Sequence, residues 1–361
     1  MVSNQILQNT LEETSRLTGA KTAIFDADGR IIAEHGGLDE IISGHVLAFL
    51  SSGLRELSEG AFSYYRAADE SDSVYVLAVD NASQNAEMTF RLLIHQIEML
   101  ISAYKERLDR DNFIKNLILD NLLQIDIYNK ARKLHIDSNS KRVVMIVEAG
   151  GNETAVGDVV RQFVSAYPGD FYTNVDESNV VIIHELRTQE LPQTEMYKYA
   201  SALQKQIGDS GVELRVSYGA AVDEIREVSK SYKEAKLALD VGRIFFERKN
   251  VVAYNNLGIG RLIYQLPLNL CRMFIKEIFG DRTPDQFDKE TLVTINKFFE
   301  NNLNVSETSR QLFIHRNTLV YRLDKIQKNT GLDLRAFDDA ITFKIALMVV
   351  KYMDYMKKID Y

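Results

Sequence analysis

The chain has 361 residues, 45% of them hydrophobic and 26% charged, which is the composition of a globular protein with length for two or three cores rather than of a disordered chain. A single cysteine, Cys271, excludes an intramolecular disulfide framework and a cysteine-based zinc site. With no run approaching ~20 consecutive apolar residues and no basic and apolar leader at the start, the expectation is a cytoplasmic protein without a membrane partner. The formal net charge of -8 argues against a surface that coats nucleic acid everywhere. Residues 305–330, however, hold Arg310, Arg316, Arg322, Lys325 and Lys328 against only Glu307 and Asp324, a basic island in an acidic chain.

In chain order, residues 4–18 read as a helix, with Ile6, Leu7, Leu11 and Leu17 roughly at helical spacing. Residues 21–25 and 30–33 read as short strands joined by an Asp26-Ala27-Asp28-Gly29 turn, followed by a helix over 38–52 and strand-like runs at 62–66 and 74–79. Residues 1–82 thus compose a small α+β unit with the layout of a sensor. From Gln84 to Ile136 there is neither proline nor glycine, and Leu93, Ile97, Leu100, Tyr104, Leu108, Ile114, Leu117, Ile118 and Leu122 recur mostly in steps of three and four. The pattern predicts a long helix or pair of helices over 83–137. Its apolar stripe is to be covered by self-association as a homodimer or higher oligomer, or by internal packing.

Residues 138–256 compose a second unit. Strands are expected at 141–148, 170–175, 179–184 and 212–220, and helices at 156–166, 194–207 and 228–246. The order βαββαβα predicts a ferredoxin-like antiparallel sheet with its helices on one face. A helical connector over 257–283 and an all-helical domain over 284–361 complete a multidomain α+β chain.

In the last domain Asn304 can cap a helix whose third residue is Glu307, with both side chains satisfying free amides at the helix start. Small Ser309 permits close approach of a second helix, Leu312 and Ile314 bury the corner, and Leu319, Leu323 and Ile326 form the inner face of that helix. This is helix-turn-helix spacing. It leaves Arg316, Asn317, Thr318, Tyr321, Arg322 and Lys325 projecting outward, with Lys328 beyond them. Arginine and asparagine can reach guanine and adenine edges, while threonine and lysine hold phosphates. By spacing alone, a solvated basic corner is at least as good a reading.

The run VSETSRQLFIHRNTLVYRLDKIQKNTGLDLRAFDDAITFKIALMV, and within it HRNTLVYRL and TGLDLRAFDDA, closely resembles the C-terminal domain of the regulators typified by the carbohydrate diacid regulator and the purine catabolism regulator. The resemblance implies a multi-helix DNA-binding domain on a double-stranded operator, with its recognition helix starting near His315 or Arg316. On this reading, substituting Arg316 or Arg322 should relax base preference, whereas substituting Lys325 or Lys328 should weaken all sequences alike. The run over 109–136 resembles the same regulators, where it leads into a domain similar to degenerate diguanylate cyclase folds. In active cyclases of that kind a glycine-glycine-aspartate-glutamate hairpin contacts nucleotide and metal. Here the corresponding hairpin reads Asn174-Val175-Asp176-Glu177, and a β-branched Val175 impedes close approach of backbone to phosphate. Asp176 and Glu177, with Glu148, could bind a cation as hard oxygen ligands, but turn acids are the favoured reading. Gly150-Gly151 and Gly258-Ile259-Gly260 lack the flanks of a phosphate loop. No catalytic residue, metal or cofactor is expected.

IFDADGRIIAEHGG and His45 are similar to parts of the family's diacid-recognition domain. A dicarboxylate needs donors and positive charge, for which Arg30, His35, His45 and Arg66 are candidates, with Tyr64 and Tyr65 as hydroxyl donors. Lone histidines such as His95 and His184 read as packed or surface residues. The leading reading is a DNA-binding regulator that senses a sugar diacid or related carboxylate and controls its catabolic genes. The alternatives are a nucleotide-binding or cyclase-like signalling protein acting through the middle domain, and a scaffold whose basic helix meets an acidic protein.

Overall fold

Strand β1 (Thr22–Phe25) is buried at every position, so the sheet that holds it must be covered on both faces. The computed structural model describes every residue except 1, 39–40, 69–73, 150–152, 177, 189, 209–213, 248, 281–287 and 360–361. Two units are formed, Met1–Phe113 and Ile114–Tyr361, the division falling within a 33-residue helix, α3 (Ala86–Ile118).

In the first unit, β1, β2 (Ile31–His35), β3 (Glu56–Glu59), β4 (Phe62–Ala68) and β5 (Val74–Asp80) form an antiparallel sheet in the order β2-β1-β5-β4-β3. The β1–β2 turn closes on Asp26, whose Oδ1 accepts the amides of Asp28 and Arg30, with Gly29 at φ 75°. Alternation sorts the side chains. Ile24, Tyr65, Tyr75, Leu77 and Val79 meet Leu7 and Leu11 of α1 (Asn4–Thr18) and Phe90, Leu93 and Ile97 of α3. Ala23, Phe25, Tyr64, Val76 and Ala78 meet Ile42, Val46 and Phe49 of α2 (Ile41–Ser52) on the other face. The stripe expected of α1 is narrower than its spacing suggested, because only Leu7 and Leu11 are buried while Ile6 and Leu17 face solvent. Leu93 and Ile97, the start of the stripe on α3, are core residues of this unit.

The second unit contains α4 (Gln124–Lys133), β6 (Arg142–Ala149), α5 (Glu153–Ser165), β7 (Phe171–Asn174), β8 (Asn179–Glu185), α6 (Pro192–Gly208), β9 (Leu214–Tyr218), α7 (Val228–Phe245) and β10 (Val251–Ala253). The sheet order is β10-β9-β6-β8-β7, antiparallel except for β10, which runs parallel to β9. Val143, Met145 and Val147 pack on Val160 and Phe163 of α5 and on Tyr199 and Leu203 of α6. The other face belongs to α7: Ser231 Oγ accepts the Val144 amide at 3.0 Å, and Ser217 Oγ donates to the Ala235 carbonyl at 2.9 Å. Gly219 makes that approach possible, since a Cβ there would sit 2.1 Å from the Ser231 carbonyl oxygen. Helices therefore cover both faces, not the single face expected from the element order. The continuous apolar run of β6 is the reason, being the pattern of a strand buried on both sides.

After α8 (Gly260–Tyr264) and α9 (Leu268–Phe279) come α10 (Lys289–Glu300), α11 (Val305–Gln311), α12 (Arg316–Thr330) and α13 (Phe337–Ile359). They share a core of Phe298, Leu319, Leu323, Ile326, Leu334, Phe343, Ala346 and Val349.

Candidate nucleic-acid interface

Helix α11 begins where Asn304 Oδ1 accepts the Glu307 amide at 3.0 Å. Only half of the expected reciprocal cap forms. The Asn304 amide is satisfied by the Asn301 carbonyl, and the Glu307 carboxylate turns instead to Arg310 at 2.6 Å and Gln311 at 2.6 Å. Those two donors hold the Glu307 carboxyl down to about 2, and the Arg310 charge is matched before it can reach a phosphate. Thr308 and Ser309 are buried, Thr308 Oγ1 accepting from the Asn301 side-chain amide at 3.3 Å.

The turn to α12 is tight. Phe313 takes a left-handed φ of 55°, and the Ile314 amide reaches back to the Ser309 carbonyl at 3.1 Å. His315 then caps α12, its Nδ1 accepting the Asn317 amide at 3.2 Å. With Leu319, Leu323 and Ile326 buried, Arg316, Asn317, Thr318, Tyr321, Lys325 and Lys328 are exposed.

Arg322 differs from the outward orientation expected of it. Its side chain is only 18% exposed; the guanidinium pairs with Glu290 and donates to Thr294 Oγ1 at 2.9 Å, both on α10. One turn later Lys325 lies 4.0 Å from Asp288, the N-cap of α10. The Thr291 amide, chiefly, holds the Asp288 carboxyl below the ordinary carboxylate range, with smaller pulls from Lys325 and Arg322. Helical geometry explains the difference: at 100° per residue Arg322 falls on the flank between the buried stripe and the outer face, opposite α10.

The middle domain disposes of its acids differently. Asp176 Oδ1 accepts from the Ser178 and Asn179 amides at 3.0 and 2.8 Å and from the Asn179 side chain, so it folds its own turn. Glu148, opposite Asn179 in the β6–β8 register, is engaged by Arg243 of α7. Glu177 and the Gly150-Gly151 pair lie outside the described residues. Among the described residues no cluster of metal-ligating side chains forms.

The effector candidates of the first unit do not converge. Tyr64 is buried in the α2 face, stacked on Phe49 at 5.6 Å, and Arg66 shares that face two residues on. His45 is exposed on α2, and Arg30 is exposed in the β1–β2 turn. His35 lies on the opposite side with Asn9, Glu12, Glu13 and Arg16 of α1, where two carboxylates make a poor receptor for a diacid. Tyr65 is also on the α1 and α3 side, bonded to Arg55 and Glu98.

Residues 291–349 match the PucR C-terminal helix-turn-helix domain, and residues 121–241 match the GGDEF-like domain. The chain is 24% identical to the carbohydrate diacid regulator of Escherichia coli over 96% of its own length and 98% of that protein's. The chain thus carries both matched domains and is similar to this regulator over nearly its whole length. Among the relatives are the DNA-binding transcriptional activator AdeR of Bacillus subtilis, 26% identical over 63% of this chain and 56% of that one. The purine catabolism regulatory protein of the same organism is 25% identical over 37% of this chain and 25% of its own. No described helix is long and apolar enough to cross a membrane.

Within the family's helix-turn-helix, one residue escaped the sequence reading. Phe313 is 96% exposed, the most exposed of the large hydrophobic residues described, and it stands in the turn immediately before the exposed face of α12. It counts as an ordinary corner hydrophobe by pattern. The signal that separates it from Leu312 and Ile314 is its left-handed backbone, which sequence periodicity does not encode.

Proposed function

We propose that the chain is a transcription regulator whose α12 enters the major groove of double-stranded DNA. The observation that carries this reading is the exposed stretch Arg316, Asn317, Thr318, Tyr321, Lys325 and Lys328, raised over a buried stripe and preceded by a tight turn from α11. Arg316 and Asn317, in the first turn, supply base contacts, and Lys325 and Lys328 supply backbone contacts. His315 holds the first turn as its cap. Phe313 adds an apolar contact to sugar or thymine methyl beside it. Arg322 acts as a positioning residue, fixing α12 on α10 rather than reading a base.

The N-terminal unit is assigned to sensing an organic acid, and the exposed side of α3 to self-association. Similarity to the carbohydrate diacid regulator supports the first assignment, and the exposed Met88, Leu92 and Met99 support the second. For the middle domain we propose no turnover of GTP, since Asp176 and Glu148 are already consumed by Asn179 and Arg243; a product formed from GTP and magnesium would overturn this.

Binding of the full chain to the DNA upstream of its own coding region, measured across a salt series, tests the reading. Neutralisation of phosphates by lysine and arginine gives a log affinity that falls linearly with log salt, by about 0.9 per phosphate contacted. A sequence-specific complex with that steep dependence is expected. A flat dependence, or equal affinity for unrelated duplexes of the same length, would sink it.

A further inference from the structure

A cleft of about 810 Å³ opens in the second unit where the end of α7, one side of α10 and the middle of α13 meet. Its floor is aromatic: Phe245, Phe246 and Phe299 are all half-buried, with Met348 beside them. Cations stand around the rim. Lys297 and Lys351 are matched by Glu300 at 2.7 Å and Glu247 at 3.7 Å. Lys249 and Lys344 have no acidic partner among the described residues; their ammonium groups lie over the rings of Phe246 and Phe299, at 5.0 and 5.8 Å from the centroids.

The combination is selective. A concavity of this size falls within the range of small-molecule sites, about 300 to 1,000 Å³. Leaving three aromatic rings partly in water is unfavourable by about 25 cal/mol per Å² of apolar surface, so a flat apolar body that covers them is favoured. The two lysines without acidic partners among the described residues set the sign of the head group, since a carboxylate accepts charge-assisted hydrogen bonds about twice as strong as those between neutral groups. Each lysine already resting on a ring presents its charge at the edge of the apolar floor, where the head of an aromatic ligand emerges.

We propose that this cleft is a binding site for a small aromatic carboxylate, its ring on the apolar floor beside Phe245 and Met348 and its carboxylate received by Lys249 and Lys344. The site is distinct from the organic-acid sensing assigned to the N-terminal unit, and its occupancy is measured without DNA, so it stands or falls separately from the regulatory reading.

Isothermal titration of the full chain with 2-naphthoate tests it, with 2-naphthalenemethanol as the uncharged counterpart of the same shape. Saturable one-to-one binding of the naphthoate, at least tenfold tighter than that of the alcohol, is expected. Both lysines are exposed, so the double variant Lys249→Gln, Lys344→Gln should keep the thermal melt of the parent while weakening naphthoate binding at least tenfold. Lys130→Gln, on the exposed side of α4, should leave it unchanged. Equal affinity for acid and alcohol, an undiminished affinity in the double variant, or the absence of saturation at millimolar naphthoate each overturns the proposal.

Discussion

Phe313 combines two unfavourable states that a side chain in a turn rarely combines, a left-handed backbone and complete exposure of an aromatic ring. The first costs about 1 to 2 kcal/mol for a non-glycine residue; the amides of Phe313 and Ile314, bonded to the Arg310 and Ser309 carbonyls, offset part of it, but the ring offsets none, since at 96% exposure it packs on nothing. A residue retained in that state is most economically explained by a contact made outside the chain. Phe313→Gly separates the two effects. The variant should melt no lower than the parent, because glycine adopts φ 55° without strain and this offsets the entropy it adds to the unfolded chain, yet bind its operator several-fold more weakly. An operator affinity left unchanged would show that the ring takes no part in binding.

At the scale of elements, periodicity was a good guide to which helix face is buried and a poor one to what covers it. Leu319, Leu323 and Ile326 are inside as their spacing predicts. The same rule applied to residues 4–18 included Ile6 and Leu17, which are exposed, because a helix lying on one sheet face needs only a narrow stripe. Strand β3 went unread because Glu56-Leu57-Ser58-Glu59 is an edge strand, polar enough to resemble a loop. Arg322 was misjudged because α10 is brought beside α12 by tertiary packing, which no local pattern records. The α6 side of the middle domain hides another such contact. His184, readable only as a packed or surface histidine, is buried with Asp170 at 2.8 Å on Nδ1 and Glu195 at 3.3 Å on Nε2. Burial works to raise the Glu195 carboxyl, but the Thr188 hydroxyl, the Arg187 and Thr188 amides and His184 hold it below the ordinary glutamate value of 4.5. A folded-state pKa lowered in this way contributes stability that is present above the unfolded value and lost as pH falls through the folded one. Acid titration of thermal stability should therefore show a smaller loss below pH 4.5 for Glu195→Gln than for the parent. Superimposable acid limbs would show that the hydrogen bonds do not favour the charged form.

For the molecule as a whole, the long helix supplies two stripes rather than one. Leu93 and Ile97 are consumed by the core of the first unit, whereas Met88, Leu92 and Met99 remain 71%, 42% and 60% exposed. Their spacing of four and then seven residues keeps them on one side, as a seam between paired helices requires. Equilibrium sedimentation should find the parent self-associated and the double variant Leu92→Glu, Met99→Glu monomeric at the same concentration, with an unchanged circular dichroism spectrum. A parent that sediments as a monomer at tens of micromolar refutes the seam. The grip of α10 on Arg322 bears on how such a regulator is studied genetically. If Arg322 only positions α12, a screen scored by lost regulation would still rank it with residues that touch a base, and an operator model built on that ranking would acquire a false contact. A double-mutant cycle avoids the error: if Arg322 orients its helix through Glu290, then Arg322→Ala, Glu290→Ala and the pair together should weaken operator binding to nearly the same extent, and by the same factor for every single-base change in the site.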